Sequence, residues 1–106
     1  MKVIFVDVDD TICKTTKESH PTLPSRNYEK AEPLHDRIEK INSLYDEGHT
    51  IIFWTARGTM TGIPWFHVTK AQLDSWGCKY HELRMGKPFY DLFIDDKNIE
   101  ADRYFE

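Results

Sequence analysis

The fold is decided by the stretch Val3-Ile4-Phe5-Val6-Asp7-Val8-Asp9-Asp10-Thr11, in which an apolar run ends abruptly in carboxylates. A nearly continuous apolar run is typical of a strand covered on both faces of a parallel sheet, so residues 2–7 are predicted to form a central first strand. Open parallel sheets bind ligands outside the carboxyl ends of their strands. Asp7 and Asp9 are therefore predicted to lie in a ligand crevice.

A second apolar run with the same ending lies near the end of the sequence: Tyr90-Asp91-Leu92-Phe93-Ile94-Asp95-Asp96. If the two strands are parallel neighbours, up to five carboxylates meet, and each like-charged pair at about 5 Å repels by roughly 3 kcal/mol at an effective dielectric constant near 20. A cation relieves this repulsion, and carboxylates suit Mg²⁺, which keeps positions for water and substrate phosphate. The two runs together predict phosphate chemistry, although a single acidic residue after a strand is more often a turn former or helix cap.

Four motifs in chain order resemble those of the haloacid dehalogenase-like (HAD) phosphohydrolases. They are Asp7-Val8-Asp9-Asp10-Thr11 after a strand, Thr55 at the end of Thr50-Ile51-Ile52-Phe53-Trp54, Lys87 in Gly86-Lys87-Pro88, and Asp95-Asp96 after a strand. Asp10 departs from the pattern, since this family often has Gly there. A closer likeness is to small HAD proteins of capsule and sugar biosynthesis loci, through Trp54-Thr55-Ala56-Arg57-Gly58 and the segment from Gly86-Lys87-Pro88 to Asp95-Asp96-Lys97.

The resemblance implies catalytic roles for four side chains. Asp7 would be the nucleophile that forms an aspartyl-phosphate, which divides a slow hydrolysis into two easier steps. Asp9 would protonate the leaving-group oxygen and later take a proton from the attacking water. Thr55 and main-chain amides would bind the phosphoryl oxygens, and Lys87 would neutralise them.

The resemblance also implies a Mg²⁺ site. Asp7, Asp95 and the main-chain carbonyl of Asp9 would hold the metal, and Asp96 would lie behind these ligands.

Five further residues are candidates for contact with the substrate: Asp10, Thr11, Ala56, Arg57 and Trp65. Thr11 is expected to support the turn rather than to touch the substrate. Arg57 has two open interpretations: it clamps a phosphate or carboxylate of the substrate in a bidentate fork, or it pairs with an acid on the surface.

Length and composition limit the class of protein. The 106 residues leave room for one domain, 1–106, and the net charge of −4 offers no basic field for nucleic acid. No apolar stretch approaches the roughly 20 residues that cross a bilayer, and the start of the chain runs into a strand instead of a signal peptide, so we expect a cytoplasmic protein without membrane contact. Cys13 and Cys78 lack metal-ligand spacing and are expected to be structural thiols.

The remaining elements are predicted from apolar periodicity and from Pro and Gly positions. They are a polar flap at about 12–32, a helix between Pro33 and Gly48, a strand at about 50–55, a helix between Pro64 and Gly77, strands at 78–83 and 90–95, and a helical turn at 98–105. Alternating strands and helices predict an α/β three-layer sandwich with a mostly parallel, Rossmann-like sheet. The family order places the first strand between the second and fourth, and neither interval that usually holds a cap domain has room for one.

The sequence therefore predicts a phosphatase acting on a small phosphorylated substrate, with a sugar phosphate of polysaccharide biosynthesis favoured by the capsule-type likeness. Two alternatives from other classes are a receiver-like phosphoacceptor domain and a catalytically idle HAD-fold binding protein. An open crevice needs the flap or a neighbouring subunit to select the substrate, and we expect a homo-oligomer.

Overall fold

The computed structural model describes residues 1–15, 17–18, 25–26 and 28–106. In chain order the elements are β1 (Val3–Val6), β2 (Cys13–Lys14), β3 (Lys17–Glu18), β4 (Ser25–Arg26), a 3₁₀ turn (Tyr28–Lys30), β5 (Glu32–Pro33), α1 (His35–Asp46), β6 (Thr50–Trp54), α2 (Phe66–Ser75), β7 (Glu82–Arg84) and α3 (Ala101–Tyr104). The chain is thus an α/β protein. None of the helices in these residues is long and apolar enough to cross a membrane.

A parallel sheet in the order β1-β6-β7 forms the centre of the molecule. Val6 is aligned with Phe53, and Trp54 with Arg84, so the three strands end at the same edge. The residues that follow the three strands therefore lie at the same edge of the sheet, and this is where the candidate site is located.

Two predictions about this sheet are wrong. Among the described strands β1 lies at one edge of the sheet and not at its centre, and its Val3 and Phe5 side chains are exposed. The predicted strand at 90–95 does not form, since Leu92 and Ile94 are 76% and 89% exposed and this segment has no ladder with the described strands. Apolar content makes a segment compatible with a strand, but only a partner that accepts its hydrogen bonds makes it one. The continuous buried run is that of β6, from Ile51 to Phe53.

Both predicted long helices are confirmed, and each packs one face on the core. Ile38 and Ile41 of α1 are buried, as are Thr69 and Leu73 of α2. The predicted solvent face of α2, consisting of His67, Lys70 and Asp74, is exposed. β7 is shorter than the predicted strand 78–83 and extends one residue beyond it, and α3 occupies part of the predicted turn at 98–105.

The predicted flap contains short antiparallel pairs, β2 with β5 and β3 with β4. The arm is the name used below for residues 13–33; its residues 16, 19–24 and 27 lie outside the described residues. Two-residue strands carry no detectable period in the sequence, so the pattern could not predict them. The base of the arm is anchored, because Ile12 and Cys13 are fully buried in the core.

Candidate active site

The loop that follows β1 is closed by main-chain hydrogen bonds. The N–H of Ile12 donates to the carbonyl of Val8 at 3.0 Å, and the N–H of Asp10 donates to the carbonyl of Cys13 at 2.8 Å. Val8, Ile12 and Cys13 have no exposed surface. The loop is therefore fixed to the core and presents its carboxylates from a rigid support.

The turn of this loop depends on one left-handed residue. Asp10 has a φ of 61°, a conformation that suits glycine best and that Asp and Asn adopt more readily than other residues. The carbonyl of the next residue, Thr11, accepts a hydrogen bond from Arg37 Nη1 at 3.1 Å, so the observed contact of Thr11 supports the turn.

Asp7 and Lys87 face each other where β1 ends. Their charged groups are 3.5 Å apart, and their side chains are 37% and 15% exposed, respectively. Burial raises the pKa of Asp7 above its ordinary value of 3.8, while the positive charge of Lys87 and a hydrogen bond from the Val8 N–H lower it. The result is a partly accessible carboxylate beside a fixed cation.

Lys87 is held in place through its main chain. Its N–H donates to the carbonyl of Thr55 at 3.1 Å, and its carbonyl accepts from Thr59 Oγ1 at 2.8 Å. Thr55 is itself buried directly after β6, and its Oγ1 accepts from the N–H of Arg57 at 3.1 Å. Three predicted catalytic residues, Asp7, Thr55 and Lys87, are thus brought to one edge of the sheet.

Asp9 forms a bidentate ion pair with Arg57. Arg57 Nη2 lies 2.8 Å from Asp9 Oδ1, and Nε donates to both oxygens of Asp9 at 3.2 and 3.0 Å. The Arg57 side chain is completely buried and that of Asp9 nearly so. Of the two interpretations of Arg57, the ion pair with an acid is the one observed, but the pair is buried and not on the surface, because its acid belongs to the first motif.

A shallow cleft of about 280 Å³ lies between the turn after β6 and the residues before Lys87. Its lining is mainly apolar: Ile63, Pro64, Trp65, Phe66 and Met85, with Arg57, Thr59 and two glycines. Trp65 is half-buried and meets the Tyr28 ring edge-on at 5.0 Å. Ala56, also half-buried, accepts a main-chain hydrogen bond from Thr59 within the turn.

The predicted third metal ligand lies apart from this site. Asp95 and Asp96 are exposed, and hydrogen bonding between them lowers the pKa of Asp95 and raises that of Asp96. Within the described ranges, no three acidic, His or Cys side chains gather as a metal site would require. The expected grouping of Asp7, Asp9 and Asp95 is therefore not seen, because the strand meant to carry Asp95 beside β1 does not form.

Three residues around Arg57 were missed by sequence reasoning. Arg57 Nη1 donates to Thr69 Oγ1 at 3.1 Å and to Gln72 Oε1 at 2.6 Å, and the Tyr28 ring lies 4.8 Å from the guanidinium carbon. One signal could have revealed part of this network: Thr69 and Gln72 interrupt the apolar stripe of α2, and a polar side chain on a buried face needs a partner.

The two cysteines are free, as expected of structural thiols. Burial raises the pKa of both Cys13 and Cys78 to about 12, which keeps them protonated and unreactive at neutral pH.

No protein-family model matches the chain, and no curated protein matches it. The crystal structure of a structural-genomics target from Vibrio cholerae is similar, with a TM-score of 0.78 and 24% sequence identity, covering 99% of this chain and 88% of that chain. At this level of identity the likeness shows the fold alone, and it supports a small α/β domain built on a parallel sheet.

Proposed function

We propose that the protein is a magnesium-dependent phosphomonoester hydrolase of the HAD type, which works through an aspartyl-phosphate. The observation that carries the proposal is the pair of Asp7 and Lys87, 3.5 Å apart beyond the end of β1. The partly exposed carboxylate of Asp7 can act as the nucleophile, and the nearly buried ammonium group of Lys87 lies close enough to neutralise the same phosphoryl group.

The proposed reaction has two steps. In the first, Asp7 attacks phosphorus, the bond from phosphorus to the leaving-group oxygen breaks, and Asp9 gives that oxygen a proton. In the second, Asp9 takes a proton from water, the water oxygen attacks phosphorus, and the bond to Asp7 breaks to release inorganic phosphate. Lys87 neutralises the phosphoryl oxygens, and Thr55 with the main-chain amides after Asp7 binds them.

Mg²⁺ is the proposed cofactor, and when bound it withdraws charge from the phosphoryl oxygens and orients them for in-line attack. The carboxylate of Asp7 and the main-chain carbonyl of Asp9 are hard oxygen donors that suit this cation. Asp95 is the third proposed ligand. Because it lies apart in the structure, its participation requires residues 89–94 to approach β1, which lies at the edge of the sheet among the described strands.

The finer features of the protein belong to the same proposal. We infer a three-layer, Rossmann-like sandwich without a cap domain, a cytoplasmic location, and a phosphorylated sugar or sugar-derived metabolite of polysaccharide biosynthesis as the substrate. A Trp65 side chain in the cleft next to the site supports a sugar, since aromatic rings offer an apolar face for packing.

The test is release of inorganic phosphate from 4-nitrophenyl phosphate by the purified chain, with Mg²⁺ and with a chelator. We expect activity only with the metal, and a loss of more than about 10³-fold for Asp7→Asn, which removes the nucleophile at nearly constant volume. Full activity in chelator, or near-normal turnover by folded Asp7→Asn, contradicts the proposal. A receiver-like or idle protein gives no turnover.

A further inference from the structure

Arg57 is a completely buried arginine whose acidic partner is Asp9. We infer that Arg57 is a positioning residue, which orients the Asp9 carboxylate so that Oδ2 is the oxygen that gives and takes the proton. The inference rests on the proposed function, because it presupposes that Asp9 is the acid and base. It also replaces the interpretation of Arg57 as a substrate clamp.

The donors of Arg57 are fully used by the protein. A guanidinium has five N–H donors. Nε serves Asp9, the two hydrogens of Nη1 serve Thr69 and Gln72, and Nη2 serves Asp9 and, at 3.9 Å, Cys13 Sγ. No donor remains for a substrate phosphate, so Arg57 acts on the reaction through Asp9.

The guanidinium is fixed from the side opposite Asp9. Gln72 accepts from Arg57 and also donates through Nε2 to the carbonyl of Tyr28 at 2.6 Å, so α2 and the arm hold the same side chain. The Tyr28 ring lies against the guanidinium at 4.8 Å. A partner locked in this way can hold a carboxylate in one orientation, which is the requirement for a preorganised acid.

The two carboxylate oxygens of Asp9 differ in how many further hydrogen bonds they can accept. Oδ1 accepts from Arg57 Nη2 at 2.8 Å, from Nε at 3.2 Å, and from Cys13 Sγ at 3.6 Å. Oδ2 accepts from Nε alone among the described residues, at 3.0 Å. Each carboxylate oxygen has two lone pairs, so Oδ2 keeps one position for a proton among the described residues.

The plain alternative is that the pair only stabilises the fold. A buried ion pair is weak support for stability, since the cost of desolvation often offsets the attraction between the charges. The two roles differ in their dependence on the leaving group. A general acid matters for a poor alkyl leaving group and little for 4-nitrophenolate, whereas a folding defect lowers both rates alike.

The experiment compares Arg57→Lys with wild type on ethyl phosphate and 4-nitrophenyl phosphate. Lysine keeps the positive charge and removes the fork. We expect kcat/KM to fall by about 30-fold or more on ethyl phosphate and by less than about 3-fold on 4-nitrophenyl phosphate, the pattern also expected for Asp9→Asn. Arg57→Lys should add little to Asp9→Asn in the double variant, because both act through one group.

Two further variants support the comparison. Arg84→Lys is the matched control, since it makes the same change in an exposed pair with Glu82, and should leave both rates unchanged. Gln72→Met removes a support of Arg57 without touching Asp9, and should lower the ethyl to 4-nitrophenyl rate ratio by about 3-fold. If Arg57→Lys does not fold, Gln72→Met decides, and an unchanged ratio overturns the inference.

Equal losses on the two esters, or additive effects in the double variant, also overturn it. A readout independent of activity is urea unfolding of Asp9→Asn, Arg57→Lys and the double variant. The two effects on the unfolding constant should be non-additive by about 10-fold or more. A coupled pair in a chain that hydrolyses neither ester contradicts the proposed function alone, whereas additive unfolding effects contradict the positioning role.

Discussion

Asp7 shows how the needs of catalysis and of stability conflict at one side chain. Attack on phosphorus needs the ionised carboxylate, yet burial raises the pKa of this group above 3.8, and Lys87 only partly offsets the shift. A raised pKa in the folded chain means that folding favours the protonated form. The protonated Asp7 therefore stabilises the folded chain fully at a pH below the pKa that Asp7 has in the unfolded chain. This stabilisation is lost as the pH rises through the pKa of Asp7 in the folded chain.

Asp7→Asn is consequently expected to stabilise the metal-free protein while abolishing its activity. Asparagine imitates the protonated carboxyl at every pH, so its advantage over wild type in Tm should grow as pH rises from about 3 to about 7. Thermal unfolding across this range measures it. Asp91→Asn, at an exposed position, is the control, and a lower Tm for Asp7→Asn at neutral pH contradicts the argument.

Arg57 shows why the sequence could suggest candidates but not their partners. The end of the first apolar run pointed to Asp7, because it follows a strand that the pattern predicted, and Lys87 was indicated by the likeness of Gly86-Lys87-Pro88 to a family motif. The pairing of Arg57 with Asp9 joins positions 48 residues apart. Such a contact depends on the pairing of β1 with β6 and on the hydrogen bonds from Arg57 to Thr69 and Gln72 of α2, which no local pattern encodes.

The turn after β6 contains two glycines that should respond differently to substitution. Both have positive φ, 81° for Gly58 and 75° for Gly62. A Cβ at Gly58 would lie 2.2 Å from the main-chain carbonyl oxygen of Ile63, whereas at Gly62 nothing lies within 4 Å. Gly58 therefore carries both a conformational and a steric requirement.

We expect Gly58→Ala to destabilise the protein by about 3 kcal/mol or more, and Gly62→Ala by about 1 kcal/mol, since only the first adds a clash to the backbone strain. Urea unfolding measures both. Gly62→Ala thus serves as the matched control for a positive φ without a clash. Equal losses of stability in the two variants would show that the contact with the Ile63 carbonyl oxygen does not add to the cost at Gly58.

Helices and strands with a clear apolar pattern could be predicted from the sequence, whereas strands that form only through pairing with another segment could not. β1, α1, β6 and α2 lie within a few residues of their predicted positions because each carries a continuous or 3.6-residue apolar pattern. The strand pairs of the arm, β2 with β5 and β3 with β4, form where the chain turns back on itself, and they carry no such pattern. The 90–95 run has the composition of a strand, but its order beside β1 came from the family likeness and not from the run itself.

The Asp95→Asn variant tests whether the segment that carries Asp95 takes part in binding Mg²⁺. If Mg²⁺ draws Asp95 toward Asp7, the substitution should raise the Mg²⁺ concentration for half-maximal activity by about 10-fold or more. Asp91→Asn removes the same charge from the same exposed segment and should leave that concentration unchanged. An unaltered Mg²⁺ requirement in Asp95→Asn would show that Asp7 and the Asp9 carbonyl bind the metal without it.

At the scale of the molecule, apolar surface remains uncovered. The exposed large side chains include Phe89, Leu92, Ile94 and Ile99. These four residues lie in one exposed segment, 89–99, and exposed apolar side chains grouped in this way are a candidate interaction site. We expect a homo-oligomer in sedimentation experiments at micromolar concentration, weakened by Ile99→Glu and not by His67→Glu on the exposed face of α2. A monomer at all concentrations contradicts this expectation.

The most direct test of the central claim is detection of the covalent intermediate on Asp7. The chain is mixed with 4-nitrophenyl phosphate and Mg²⁺, quenched in acid within the first turnover, and mapped by peptide mass spectrometry. We expect one phosphoryl group on Asp7 in wild type and none in Asp7→Asn. Release of phosphate in that turnover with no phosphoryl group on Asp7, or with the group on another residue, would contradict the proposed mechanism.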